Sequence, residues 1–179
     1  VYEAWIALAA RRAMYTRKTT LSGDLLALAN QGHFDVIVQG CNCFCTMGKG
    51  IALDIKKMYP EVYAADRATK YGDPGKMGTY SQATVETPAG PLTIVNGYTQ
   101  FDFRGSGVKA DYNAIRAVFK AIKEEFSGAR IGYPMIGAGL AGGDWPTIEA
   151  IINEELAGEQ HTQVIFVPPY HAQNGPVGP

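Results

Sequence analysis

Apolar positions in this chain fall into two rhythms, and their alternation predicts the architecture. Phe34 to Cys41 is a nearly continuous apolar run, the pattern of a strand buried on both faces. Stretches 16–22, 131–136 and 162–167 read as further strands, and 77–86 and 92–98 as a hairpin-like pair joined by Thr87-Pro-Ala-Gly-Pro91. Elsewhere the period lengthens. Ile115, Val118, Phe119, Ile122 and Phe126 follow the stripe of a helix lying on a sheet, with Asp111 as N-cap and Gly128 as stop. Ile148, Ile151, Ile152 and Leu156 repeat the stripe behind Asp144 as N-cap and Pro146, and Gly158 ends it. Leu25 to Asn30 reads as a short helical turn. Residues 51–58 form a helix that Pro60 ends, and Pro60 opens the next one, 61–71. Strands alternating with helices predict an α/β fold, a three-layer α/β/α sandwich on a mixed sheet of about six strands, parallel at its centre.

Composition narrows the function classes. The 179 residues suit one domain, and 46% hydrophobic with 18% charged residues excludes a disordered chain. A net charge of −1 argues against a broad electrostatic grip on a nucleic-acid backbone but leaves room for a local basic patch. No apolar run reaches the roughly 20 residues of a membrane span. Residues 1–15 read as a helical N-terminal extension, because Glu3 precedes Arg11 and Arg12 where a signal peptide would put positive charge first. Residues 16–170 form the domain and 171–179 a loose tail. The expected location is cytoplasmic and the expected state a monomer.

All three cysteines sit in Cys41-Asn-Cys-Phe-Cys45, a spacing that would put them on one face of a continuing strand. A thiolate metal cluster would need a fourth ligand, and His33, His161 and His171 form no ligand-spaced motif with them. We favour small residues lining a buried strand end, with no metal expected.

The chemistry concentrates in two strand–glycine–helix passages. In the first, Phe34 to Cys41 leads into Met47-Gly-Lys-Gly-Ile-Ala and a helix. In the second, Ile131 to Ile136 leads into Gly137-Ala-Gly-Leu-Ala-Gly-Gly-Asp-Trp145 and a helix. Glycine lets backbone N–H groups crowd an anion, and a helix N-terminus adds partial positive charge. Two such loops on one domain predict a diphosphate gripped from both sides. The second loop also spells G-x-G-x-x-G, the nicotinamide-dinucleotide fingerprint. The context opposes it: the next strand runs into Pro168-Pro-Tyr with no acidic residue placed for a ribose hydroxyl, and only one strand follows the motif.

Gly23-Asp24, Cys41-Asn-Cys with Met47-Gly-Lys-Gly-Ile-Ala, and Ile136 to Trp145 together resemble a macro domain over residues 16–170. The resemblance is closest to the branch holding terminal ADP-ribose glycohydrolases, ADP-ribose-1″-phosphate phosphatases and the macro domains of DNA-ADP-ribosylation antitoxins. It implies an ADP-ribose cleft at the strand ends, with no cofactor and no metal. Asp24, with Leu25 beside it, corresponds to the residue accepting from the adenine amino group; as an N-cap it could serve the following turn as well. Asn42 corresponds to the asparagine at the distal ribose, or closes a turn at its strand exit. Met47, Gly48, Lys49, Gly50 and Ile51 correspond to the first phosphate loop. Gly137, Ala138, Gly139, Leu140, Ala141 and Gly142 correspond to the second. Tyr98, Phe101 and Phe103 fall where the family sets an aromatic against adenine or ribose, with Tyr170 a further residue at the adenine edge.

In hydrolytic members a Gly-Lys pair opens the strand after these helices, here Gly75-Lys76. The resemblance implies that Lys76 attacks the anomeric carbon or acts as a base, whereas by residue type alone it is an exposed turn lysine. The aspartate that glycohydrolases carry in loop two is Ala141 here, while Gly139-Leu-Ala-Gly-Gly-Asp-Trp145 fits the antitoxin pattern. Gln39 replaces the histidine of phosphatase-like members. The implied function is hydrolysis of ADP-ribosyl conjugates of nucleic acid or protein. Alternatives are an ADP-ribose-1″-phosphate phosphatase and a reader that binds without cleaving.

Overall fold

The computed structural model describes Glu3 and residues 18–168. The remainder of the expected N-terminal helix, Tyr170 and the 171–179 tail lie outside the described residues. Eleven principal elements follow one another as β1 (Lys18–Gly23), α1 (Leu25–Asn30), β2 (Val36–Cys41), α2 (Gly50–Met58), α3 (Pro60–Arg67), β3 (Tyr80–Thr87), β4 (Gly90–Tyr98), α4 (Tyr112–Phe126), β5 (Arg130–Tyr133), α5 (Trp145–Glu155) and β6 (Gln160–Phe166).

The strands form one six-stranded sheet in the order β1-β6-β5-β2-β4-β3. Every neighbouring pair is parallel except β3 with β4, which the turn at Thr87–Gly90 folds back antiparallel. Side chains alternate across the sheet as the two-residue strand period demands. Val36 and Val38 of β2 and Val95 of β4 meet Ile115, Val118, Phe119 and Ile122 of α4 and Ile148 and Ile152 of α5. Ile37 of β2 and Leu92 and Ile94 of β4 face the opposite way, against Leu25 of α1, Ile55 of α2 and Val62 of α3. Two cores thus sandwich the sheet between helical layers, which is the expected α/β/α arrangement.

The N-caps read from the sequence form. Asp111 accepts from the Ala114 amide at 2.8 Å, Asp144 from Thr147 at 3.1 Å, and Pro60 and Pro146 lie in the first turns of α3 and α5. Of the boundaries that differ from expectation, two have a local cause. The third helix stops at Arg67 rather than residue 71, because the Thr69 hydroxyl donates to the Asp66 carbonyl at 2.6 Å and closes the last turn locally. The strand expected over 131–136 ends at Tyr133: Pro134 has no N–H for the ladder, and Ile136 bonds back to the Pro134 carbonyl at 2.8 Å. Among the described residues no helix is long and apolar enough to cross a membrane.

Candidate functional site

Because β1, β6, β5, β2 and β4 all run the same way, their C-terminal ends share one edge, and the loops leaving them converge there. A cleft of about 280 Å³ opens at that edge, lined by Gly23, Asp24 and Leu25 after β1, Gly50 and Ile51 of α2, and Phe166 of β6. The Asp24 carboxylate caps α1, its Oδ1 accepting from the Ala27 amide at 2.9 Å. A shallower hollow of about 770 Å³ adjoins it between α1 and α2 and shares Asp24, Leu26 and Asp54. The first glycine loop borders the smaller cleft through Gly50 and Ile51.

The two glycine loops approach one another: a Cβ built on Gly50 would lie 3.9 Å from Leu140 Cδ1, although no residue of the second loop lines the cleft. Lys49 is the N-cap of α2 with no side-chain hydrogen bond, which leaves the first amides of that helix without a capping acceptor. Gly50 itself has φ of +57°, a left-handed conformation that favours glycine. The second loop is folded by its own backbone: Gly142 donates to Gly139 at 3.1 Å and Gly143 to Gly137 at 2.7 Å. It is anchored from outside by the Lys109 and Ala110 amides, which donate to the Ala141 carbonyl at 2.7 and 3.2 Å. Among the described residues, the Gly48, Gly50, Gly139 and Leu140 amides have no protein acceptor. Each loop therefore keeps amide donors without a protein acceptor.

Asn42, at the exit of β2, closes a turn: its Nδ2 donates to Thr46 Oγ1 at 2.8 Å and its Oδ1 accepts from the Phe44 amide at 2.8 Å. One amide hydrogen and one lone pair are left over. The strand spacing of the cysteines ends with β2, and Cys45 adopts φ of +50°. Cys43 Sγ then faces the Gln100 carbonyl at 3.6 Å and Cys45 Sγ the Asp66 carbonyl at 3.3 Å. Burial pushes the Cys41 and Cys43 thiols up, against the pull of the Lys76 charge.

Lys76 is not the exposed turn lysine that its residue type suggests. It closes a short turn, Pro74–Lys76, and is only 7% exposed. Its amine donates to the Cys43 carbonyl at 3.1 Å and to Cys45 Sγ at 3.5 Å, and lies 4.4 Å from the centre of the Tyr98 ring. The Tyr98 hydroxyl donates to Asp66 Oδ1 at 2.8 Å. Burial raises the Asp66 carboxyl above its ordinary range, while that hydrogen bond and the Lys76 charge oppose the rise. The result is a lysine held beneath loop one by a carbonyl, a thiol and an aromatic face, with a buried carboxylate behind it.

The structure thus gathers Asp24, Leu25, Gly50 and Ile51 at one end of the edge and Asn42 and Lys76 toward the other, with loop two between. One aromatic expectation requires correction. Tyr98 is 1% exposed and serves as the floor under Lys76 rather than a surface for adenine or ribose. Phe101, like Asn42, Lys76 and loop two, lies outside the lining of the 280 Å³ cleft; its ring is 36% exposed and packs 5.1 Å from Phe44, beside loop one. Met47, at 3% exposure, is packed into the core beneath its loop, and Ala141 is likewise buried. Trp145 is half-buried against the α4–α5 core. Gln39 is buried in the sheet and donates to Asn96 Oδ1 at 2.8 Å. Sequence reasoning missed Asp66, although its signal was present: it follows Val62 by four positions on the buried stripe of α3, where a charge is out of place. Asp54 and Leu26, which also line the cleft, carry no such signal.

No family model matches the chain. An uncharacterized 17.5 kDa protein of the tk-vs intergenic region of phage T4 is 34% identical over 138 residues, covering 74% of this chain and 86% of the phage protein. A DNA ADP-ribosyl glycohydrolase of Mycobacterium bovis is 30% identical over 151 residues, 83% of this chain but only 41% of that enzyme, so the chain spans less than half of its length. Among solved structures, the macrodomain of Mycobacterium tuberculosis DarG superposes with a TM-score of 0.63 at 25% identity, covering 85% of this chain and 99% of that one.

Proposed function

The chain belongs to the macro-domain family, and on that footing we propose that it binds ADP-ribose across the strand ends and hydrolyses the glycosidic bond joining ADP-ribose to a macromolecule. The observation that carries this reading is the approach of the two glycine loops, Gly50 toward the Leu140 side chain, with unpaired amides on both. A diphosphate between them would take those amides as donors and the α2 N-terminus as a source of positive potential. The free Asp24 oxygen suits the adenine amino group. The spare hydrogen-bonding capacity of Asn42 suits ribose hydroxyls at the far end, next to Lys76. DNA is the favoured carrier of the ADP-ribosyl group, following the name of the mycobacterial relative.

Lys76 supplies the reactive group in one of two ways. As a nucleophile, the uncharged amine bonds to the anomeric carbon while the glycosidic bond breaks; the base leaves with that electron pair and takes the proton the amine sheds, and water then cleaves the adduct to ADP-ribose and free Lys76. As a general base, it takes a proton from the attacking water. Borohydride added during turnover separates them, since only the first leaves a reducible adduct on the protein. The test of the whole reading is incubation of wild type and Lys76→Ala with ADP-ribosylated DNA and ADP-ribosylated protein, alongside calorimetry with ADP-ribose. Release of ADP-ribose by wild type alone supports it; equal release by both removes Lys76 from the chemistry. Absence of ADP-ribose binding sinks the assignment.

One observation favours a reader that cleaves nothing: the Lys76 amine is buried and already engaged by Cys43, Cys45 and Tyr98. Tight ADP-ribose binding with no turnover of either conjugate would select that reading.

A further inference from the structure

Beside the Lys76 end of the cleft lies a cluster of rings that the fold does not bury. Tyr71 is 69%, Phe103 47% and Phe101 36% exposed. They gather around Phe44, whose centroid is 5.3 Å from Tyr71 and 5.1 Å from Phe101, both edge to face. The Arg104 guanidinium lies 4.7 Å from the Phe44 ring and 5.5 Å from Phe103. Asp102 fixes it there, accepting from Arg104 Nε and Nη2 at 2.9 Å each. Edge-to-face packing leaves ring faces open to solvent, an arrangement that costs hydration free energy without adding to either core.

The cluster is tied to the reactive lysine through one peptide. The Cys43 carbonyl accepts from Lys76 Nζ at 3.1 Å and from the Gly72 amide at 2.8 Å, while the Cys43 amide donates to the Phe101 carbonyl at 3.0 Å. Gly72, with φ of +67°, would bring any Cβ to 3.2 Å from the Phe44 ring, so the segment carrying Tyr71 is fitted against it. The three segments that build the cluster, 41–50, 67–76 and 99–110, carry Lys49, Arg67, Lys70, Lys76, Arg104 and Lys109 against Asp73 and Asp102. Lys76 is buried and Arg104 and Lys70 face Asp102 and Asp73, so the positive excess of these segments rests on Lys49, Arg67 and Lys109, on a chain with a net charge of −1.

Open aromatic faces, a flat guanidinium and surrounding cations are what an unpaired nucleic-acid strand requires: stacking for the bases and charge for the phosphates. A duplex already stacks its bases on one another and has no free faces to offer. We infer that Tyr71, Phe44, Phe101, Phe103 and Arg104 form a stacking platform for the nucleobases of a single-stranded nucleic acid, next to the lysine end of the cleft. The inference rests on the de-ADP-ribosylation reading for its purpose, since it is the strand carrying the ADP-ribosyl group that the platform would hold. It does not rest on that reading for its detection.

The test is fluorescence anisotropy with a labelled, unmodified, mixed-sequence single-stranded oligonucleotide and its duplex form, on wild type, Tyr71→Ala, Tyr71→Phe and Arg104→Ala. Calorimetry with ADP-ribose serves as the check on the fold and the cleft. Single-strand affinity should exceed duplex affinity, fall about tenfold in Tyr71→Ala, and survive in Tyr71→Phe, which keeps the ring. Arg104→Ala should weaken binding and flatten its salt dependence by about one unit of slope. ADP-ribose affinity should be the same in all four proteins. If Tyr71→Ala binds the oligonucleotide as wild type does, or if duplex binds as well as single strand, the platform is overturned while ADP-ribose binding still stands. If ADP-ribose fails to bind wild type but the oligonucleotide pattern holds, the functional reading fails and the platform remains.

Discussion

At the scale of single residues, the site is organised around an amine that has been taken out of water. Lys76 keeps its charge company with a carbonyl, a thiol and an aromatic face, and such company fixes the amine's position at the expense of its freedom. Lys76→Ala should therefore lower turnover of an ADP-ribosyl conjugate by about a hundredfold or more while leaving ADP-ribose affinity close to wild type, since the diphosphate donors lie elsewhere. Steady-state kinetics beside calorimetry checks both halves. A parallel fall in affinity would mean that Lys76 positions the ligand instead of reacting with it.

At the scale of elements, the second glycine loop separates two uses of glycine. Gly143 has no room: an added Cβ would sit 2.6 Å from the Gly137 carbonyl oxygen and 2.8 Å from Ile148 Cδ1. Gly139 has nothing within 4 Å. Gly143→Ala should thus shift the loop against α5, lower the thermal midpoint and weaken ADP-ribose binding together. Gly139→Ala should leave the midpoint unchanged and weaken only binding, because its methyl points into open space beside the donors. Differential scanning fluorimetry with and without ADP-ribose reads both.

The same distinction explains what the sequence made legible. The stripes of α4 and α5, their Asp caps and the buried run of β2 are local signals, and the structure realises them. Loop positions were readable because glycine is required where backbones crowd. The burial of Lys76, by contrast, depends on a non-local event: loop one, from residue 42, folding over a turn at residue 76. No spacing encodes that contact. Tyr98 misled for the same reason, since aromatic identity gives no hint of which side of the sheet end its ring will occupy.

At the scale of the whole molecule, the strand order decides which chemistries share an edge. β1 and β6 bring Asp24 and Phe166 together, β5 contributes Pro134, and β2 and β4 deliver Asn42 and the Lys76 floor at the other side. A ligand reaching from one end to the other must therefore be elongated. The sheet also carries a pH liability away from the site. His161 of β6 is 5% exposed and shares a 2.7 Å hydrogen bond with the Tyr133 hydroxyl of β5. Burial, with a smaller push from Lys18, drops its pKa from 6.5 to about 4. The folded protein holds His161 neutral, whereas the unfolded chain takes up the proton near pH 6.5. Stability is then fully present above that pH and is lost as pH falls from 6.5 toward 4, by about 3 kcal/mol at the lower limit. Asp35, Asp102 and Asp144 have lowered values, so their own losses come at more acid pH. Urea midpoints measured at steps from pH 7 to pH 4 should decline in wild type and decline less in His161→Gln. Identical slopes would show that another group sets the acid limit.

The carboxylate behind the lysine bears on how an inactive form should be made. Asp66 is 1% exposed, and the Lys76 charge is one of the two influences that oppose the rise burial imposes on its carboxyl. Cutting the lysine back to a small side chain removes that influence and leaves a buried carboxyl without its cation, a defect costlier than loss of the pair as a whole. A capture reagent built on the single replacement would then hold ADP-ribose but unfold at a lower temperature. Changing Asp66→Asn in the same molecule should restore its thermal resistance and yield the cleaner bait.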